Sequence, residues 1–224
     1  MITLAVDTSA GDCAACICDS SERGELGRSV EHIGRGHAER LFPVIARAMN
    51  DAKVSYGDLE RLGVCIGPGS FTGLRVGVSA MRGLSLALGI PLAGVSVFEA
   101  LVFSARPGSP VLAVLDARRG EVYTQLFDGA GHPVGEAAAM LPSEAAQLAA
   151  EAGAMLLGSG APLVIAEKGT LGVLSAEASA DIGAIARLTA GASQPDAAPR
   201  PLYLRAADAK PQTGFAVSRQ EAHP

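Results

Sequence analysis

The chain has 224 residues, enough for one sizeable core or for two lobes of roughly 100 residues each. Hydrophobic residues make up 49% of it and aromatics only 4%, which favours close-packed backbones over an aromatic binding groove. A net charge of −5 excludes a protein that coats nucleic acid by neutralising phosphates, so if RNA matters here another component grips it. The start, Met1-Ile2-Thr3-Leu4-Ala5-Val6-Asp7, lacks the basic and apolar regions of a signal peptide, and no apolar run approaches ~18 residues. A cytoplasmic protein without a membrane segment is the expectation.

In chain order, three short strands are expected at 3–7, 13–19 and 26–32, joined by turns into an antiparallel meander. A helix follows at 38–52, with Leu41, Ile45, Ala48 and Met49 forming its apolar stripe. The continuous apolar run 62–66 suits a strand covered on both faces. A glycine-rich turn then leads into a long helix ending near Leu88, where Gly89-Ile90-Pro91 stops it, followed by a strand at 92–96 and a helix at 97–104.

Arg106-Pro107-Gly108-Ser109-Pro110 reads as a linker, after which the pattern starts again. Strands are expected at 111–116, 121–128 and 133–137, a helix at 143–152, short strands at 155–157 and 163–166, and a helix at 181–191. Asp7 and Asp116 each close the first strand of their half. Beyond Arg205 the chain is polar and without a period, and reads as a loose tail.

Of the four cysteines, Cys13, Cys16 and Cys18 fall on one expected strand and Cys65 on another. Alternating strand faces point Cys13 and Cys16 in opposite directions, so they cannot share one zinc, and buried thiols are the plain reading. No His-x-x-x-His occurs, which rules out a helical metal pair at that spacing.

The run Gly67-Pro68-Gly69-Ser70-Phe71-Thr72-Gly73-Leu74-Arg75-Val76-Gly77 can turn a strand sharply into a helix that Ser70 caps. It lacks the Gly-Lys-Ser/Thr ending of a Walker loop, and its glycines do not fall as Gly-x-Gly-x-x-Gly. Two readings stand at this point: an anion cradle at the helix N-terminus, or a small-residue stripe of Gly73, Gly77, Ala80, Gly83 and Ala87 that packs this helix closely. Each interior glycine costs about 1 kcal/mol relative to alanine, so some close contact should offset it. Asp7-Thr8-Ser9 is either an ordinary turn or a carboxylate and two hydroxyls that orient a metal-bound phosphate. Arg118 and Arg119 sit in a hairpin turn as a solvated pair or as an anion clamp.

Asp7-Thr8-Ser9, His37-Ala38-Glu39-Arg40-Leu41-Phe42-Pro43, the block from Gly67 to Arg75, Leu115-Asp116-Ala117-Arg118-Arg119-Gly120-Glu121-Val122-Tyr123, and Pro201-Leu202-Tyr203-Leu204-Arg205 together resemble the TsaB (YeaZ) family over nearly the whole chain. The resemblance implies an α/β, actin-like ATPase (ASKHA) fold of two RNase H-like lobes, 1–106 and a reduced 107–205, with 206–224 as the tail. It implies a noncatalytic subunit for forming N6-threonylcarbamoyladenosine in tRNA. Such a subunit is expected to bind and stabilise the catalytic TsaD in an assembly with the ATPase TsaE, and, since exposed apolar patches seldom stay bare, a homodimer through the same surface is expected when TsaD is absent. TsaD proteins hold their metal with a His-x-x-x-His motif; the corresponding stretch here reads Gly94-Val95-Ser96-Val97-Phe98-Glu99-Ala100-Leu101. Without those imidazoles that metal has no ligands in this chain, and the transfer chemistry has no Lewis acid.

No catalytic residue, metal or cofactor of its own is therefore expected, with ATP or ADP at the subunit junction left open and tRNA met through the complex. The expected partner or dimer surface is His37, Arg40, Leu41, Phe42, Gly73, Arg75, Gly77, Ala80 and Gly83. A vestigial phosphate site would comprise Asp7, Thr8, Ser9, Gly67, Gly69, Ser70 and Thr72, with Arg118 and Arg119 as anion contacts. Two other classes compete: an ATP-dependent enzyme of the actin-like kinase kind built on Asp7, Thr8, Ser70 and Thr72, and a metallopeptidase, which the absent histidine pair disfavours.

Overall fold

The computed structural model describes residues 1–21, 24–177, 179–193 and 197–205; the tail expected at 206–224 lies outside them. Strands β1 (Ile2–Asp7), β2 (Asp12–Asp19) and β3 (Gly24–His32) form the antiparallel meander. Helix α1 (His37–Ala52) and a 3₁₀ turn at Tyr56–Asp58 lead to β4 (Arg61–Gly67), which lies parallel to β1. Helix α2 (Phe71–Leu88) crosses to β5 (Leu92–Ser96), parallel to β4, and α3 (Val97–Ala105) closes the first half. The sheet order is β3-β2-β1-β4-β5.

The second half repeats the scheme element for element. It runs β6 (Val111–Arg118), β7 (Glu121–Phe127), β8 (Pro133–Met140), α4 (Pro142–Ala152), β9 (Met155–Leu157), α5 (Ala161–Glu167), β10 (Val173–Ser175) and α6 (Ile182–Gly191). Its sheet, read from the other edge, is β8-β7-β6-β9-β10, which is the order of the first sheet. This duplicated βββαβαβα plan is the actin-like fold of two RNase H-like lobes. The reduction of the second lobe is one of length: β9 and β10 have 3 residues each and α5 has 7, yet no element of the plan is missing.

Period-two patterning explains how the cores are fed. In β2, Cys13, Ala15 and Ile17 face a core shared with α1 and α2, whereas Ala14, Cys16 and Cys18 face the opposite core. That opposite core continues through α3 and α6 to Val111, Ala113, Leu115 and Phe127 of the second sheet, so one apolar body joins the lobes. All four cysteines are free and buried.

One expected strand is corrected. Residues 163–166 belong to helix α5, not to a strand: the β-branched Val164 and Ile165 suggest a strand, but Pro162 suits a helical first turn and Ala161 and Val164, three apart, are the two buried positions. The strand of that region is β10, further along the chain, pairing parallel with β9.

Candidate functional site

At the carboxyl end of β1, Asp7-Thr8-Ser9 and the glycine turn after β4 lock into one another. The Thr8 hydroxyl donates to the Gly73 carbonyl at 2.8 Å, and the Ser70 N–H donates to the Ser9 carbonyl at 2.7 Å. Ser70 caps α2, its hydroxyl accepting from the Gly73 N–H at 3.2 Å. A Cβ at Gly69 would stand 2.2 Å from the Ser9 carbonyl oxygen, one at Gly73 would stand 2.0 Å from that of Thr8, and one at Gly77 would stand 2.4 Å from the Thr8 hydroxyl. Gly73 and Gly77, four apart on α2, and Gly69 in the turn before it therefore form the surface against which the Thr8-Ser9 turn rests. Gly67 adopts a positive φ of 97° where the strand turns, and its bond to Pro68 is cis.

Asp7 is buried, and its carboxylate accepts from the Ser9 N–H at 2.7 Å. Burial raises its pKa; the hydrogen bonds from Ser9 and from the neighbouring Cys65 only partly oppose that. Burial, followed by the nearby Asp7 charge, likewise pushes the Cys65 thiol well up. Asp116 repeats the arrangement in the second lobe: its carboxylate accepts from the Arg118 N–H, also at 2.7 Å, while its own N–H is held by the Ser159 hydroxyl at 3.2 Å. The Gly158-Ser159-Gly160 loop is thus tied to β6, and a Cβ at Gly160 would stand 3.0 Å from the Leu115 carbonyl carbon.

Between these two turns lies an interlobe cleft of about 530 Å³, lined among others by Ser9, Gly11, Gly69, Ser70, Asp116, Arg118 and Ser159. Arg118 is largely exposed and pairs with Asp116 at 3.2 Å; Arg119 follows it, and both take a left-handed backbone in the β6–β7 turn. A small anion entering the cleft would meet the Arg118 guanidinium; the Thr8 hydroxyl is already donated to the α2 backbone, whereas the Ser70 hydroxyl accepts there and caps the helix. Among the described residues, no three His, Cys, Asp or Glu side chains are grouped so as to hold a metal ion. Among them too, no helix is long and apolar enough to cross a membrane.

The surface expected on α1 and α2 divides. Leu41 is buried in the first-lobe core, Gly73 and Gly77 are buried beneath the Thr8-Ser9 turn, and His37 is buried with Nε2 3.1 Å from the Asp12 carbonyl oxygen. These four serve the interior, because helical spacing that reads as a surface stripe here points at the chain's own sheet. Arg40 pairs with Glu31 at 2.6 Å, and Arg75 stacks over the Phe71 ring at 3.7 Å and donates to the Tyr203 hydroxyl at 2.9 Å. Phe42 remains 49% exposed, Ala80 is half-buried, and Gly83 has nothing within 4 Å of where its Cβ would stand. Leu86 is 86% exposed on the same helix as Gly83. It was absent from the expected surface, although its place three residues beyond Gly83 on the outer side of α2 signals it.

Comparison with known proteins agrees with this architecture. The family model described as "TsaD: tRNA N6-adenosine threonylcarbamoyltransferase" matches residues 30–166, more than half of the chain. An uncharacterised protein of Mycobacterium tuberculosis is 35% identical over 93% of each chain. The tRNA threonylcarbamoyladenosine biosynthesis protein TsaB of Bacillus subtilis is 34% identical over 57% of this chain, and the present chain spans 55% of its length. Among solved structures, YeaZ from Pseudomonas aeruginosa superimposes with a TM-score of 0.72 at 26% identity, covering 84% of this chain and 90% of its own. The duplicated sheet order, the matching family model and these relatives lead to one assignment: the chain belongs to the TsaB (YeaZ) family.

Proposed function

We propose that this chain is a noncatalytic subunit for the formation of N6-threonylcarbamoyladenosine in tRNA, binding and stabilising a TsaD-type transferase through the outer face of α1 and α2. The observation that carries the noncatalytic reading is the closure of the Asp7-Thr8-Ser9 turn by Gly69, Gly73 and Gly77. The groups that would otherwise face a metal-bound phosphate are buried or bonded within the chain, and burial works against an ionised Asp7. The tRNA assignment draws on the names of the TsaB relatives.

The partner reading draws on Phe42, Gly83 and Leu86, exposed on the outer side of α1 and α2, with the half-buried Ala80 beside them. Such surfaces on paired helices suit burial by another helix pair. In this reading the same face forms a homodimer when TsaD is absent, TsaE joins the assembly, and tRNA is met through TsaD in the cytoplasm. The test is reconstitution of tRNA modification from TsaD, TsaE, tRNA and the threonylcarbamoyl donor, with and without this chain. Modification at full rate without it overturns the proposal.

The interlobe cleft favours a second reading, in which a nucleotide binds this chain or its junction with TsaD. Titration of the isolated chain with ATP and ADP, followed by calorimetry, distinguishes them. Micromolar binding that Arg118→Ala abolishes would establish the nucleotide reading.

A further inference from the structure

Residues 199–205 follow α6 and run across both lobes beside the cleft. On the first lobe, the buried Pro199 lies against β5: its Cβ would stand 3.0 Å from a Cβ at Gly94. The Leu202 N–H donates to the Ile66 carbonyl at 2.8 Å, one residue before the glycine turn. Tyr203 packs its ring 5.3 Å from that of Phe71, and its hydroxyl accepts from Arg75 Nε at 2.9 Å. Leu204 enters the interlobe core. On the second lobe, Arg205 donates to the Ala117 carbonyl at 3.3 Å, pairs with Glu121 and lies 5.8 Å from the Tyr123 ring. Its anchors are therefore the first turn of α2 on one side and the β6–β7 hairpin on the other.

Those anchors border the cleft. Pro68, Gly69 and Ser70 form one wall, and Ala117, Arg118 and Tyr123 belong to the other. We propose that residues 199–205 are an interlobe strap that holds the cleft at its present width, so that widening the cleft and detaching Tyr203 or Arg205 are one event. The two ends differ in kind: an aromatic and cation stack at Phe71, Arg75 and Tyr203, and an ion pair with a backbone hydrogen bond at Arg205. A ligand that spreads the lobes has to break the second, and a partner that displaces Arg75 from Phe71 loosens the first. The strap thereby couples the amino end of α2 to the opening of the cleft. This inference stands independently of the role in tRNA modification.

The native cysteines are buried, so spin labels can be placed on D51C in α1 and E151C in α4, both exposed and in opposite lobes. Pulsed dipolar spectroscopy on the otherwise unaltered chain should give one narrow distance distribution. Arg205→Ala and Tyr203→Ala should each broaden or lengthen it. In the same variants, amide exchange should rise roughly tenfold at 66–70 and 117–122 and stay unchanged in β1. Unchanged distances and exchange, or exchange raised equally in β1, overturn the strap. If Arg205→Ala does not fold, Tyr203→Phe, which deletes only the hydroxyl that accepts from Arg75, carries the same readouts.

Discussion

Thr8 and Gly73, far apart in sequence, meet so closely that the Thr8 hydroxyl donates to the Gly73 carbonyl at 2.8 Å and a Gly73 Cβ would overlap the Thr8 carbonyl oxygen at 2.0 Å. The contact explains why a helix tolerates glycine at interior positions. The backbone of the β1–β2 turn occupies the space a side chain would need.

Two glycines of α2 should respond oppositely to the same change. Gly73→Ala forces the Thr8 backbone to shift and is expected to destabilise the fold by roughly 1–3 kcal/mol. Gly83→Ala meets open space in a helical conformation and is expected to stabilise it by about 1 kcal/mol. Guanidinium unfolding of both variants checks the pair; equal effects of one sign would contradict the packing role.

Two carboxylates set opposite pH dependences. Asp7 has a folded pKa raised above 3.8, chiefly by burial, so the folded state binds its proton more tightly. Its contribution is fully present below pH 3.8 and is lost as pH rises through the folded value. Asp19 is held down to about 2 by bonds from Ser21 and then from the N-terminal amine, so its contribution is present above pH 3.8 and is lost as pH falls towards about 2. Thermal midpoints measured across pH should fall less on the alkaline side in Asp7→Asn and less on the acid side in Asp19→Asn.

Placing charge on the outer face of α1 and α2 should abolish association without unfolding the chain. Phe42→Asp and Leu86→Asp change exposed positions, so unfolding free energies should move by about 0.5 kcal/mol or less. Sedimentation of each variant alone and with TsaD should show monomers in place of complexes. Retained complexes in both variants would place the partner elsewhere.

Arg28 joins the edge strand β3 to the amino end of α6. It pairs with Glu25 and with Asp181, both at 2.7 Å, while Asp181 also caps α6 through the Ala184 N–H. Burial is the largest single influence and works to raise the Asp181 pKa, but the hydrogen bond and charge of Arg28, with the backbone N–H groups of Ala184 and Gly183, together make the net shift downward. The cluster is partly exposed, so Arg28→Ala should cost only about 1 kcal/mol, and because salt screens the intact pairs and the variant has none to screen, high salt should narrow the difference. Urea unfolding at two ionic strengths measures this.

By itself, the sequence determined the α/β class, the duplicated meander and most element positions, because period-two and helical patterning are local and survive without neighbours. It also marked Asp7-Thr8-Ser9 and the glycine run as one family signature. It misread 163–166, where β-branched residues in a short segment do not separate strand from helix, and it passed over β10, whose 3 residues are too few for a period. Only the tertiary structure decided which small residues face inward. Gly73 and Gly77 turn to Thr8, whereas Gly83, on the same helix, stands open. That choice depends on what lies across from each position, and helical spacing alone contains no record of it.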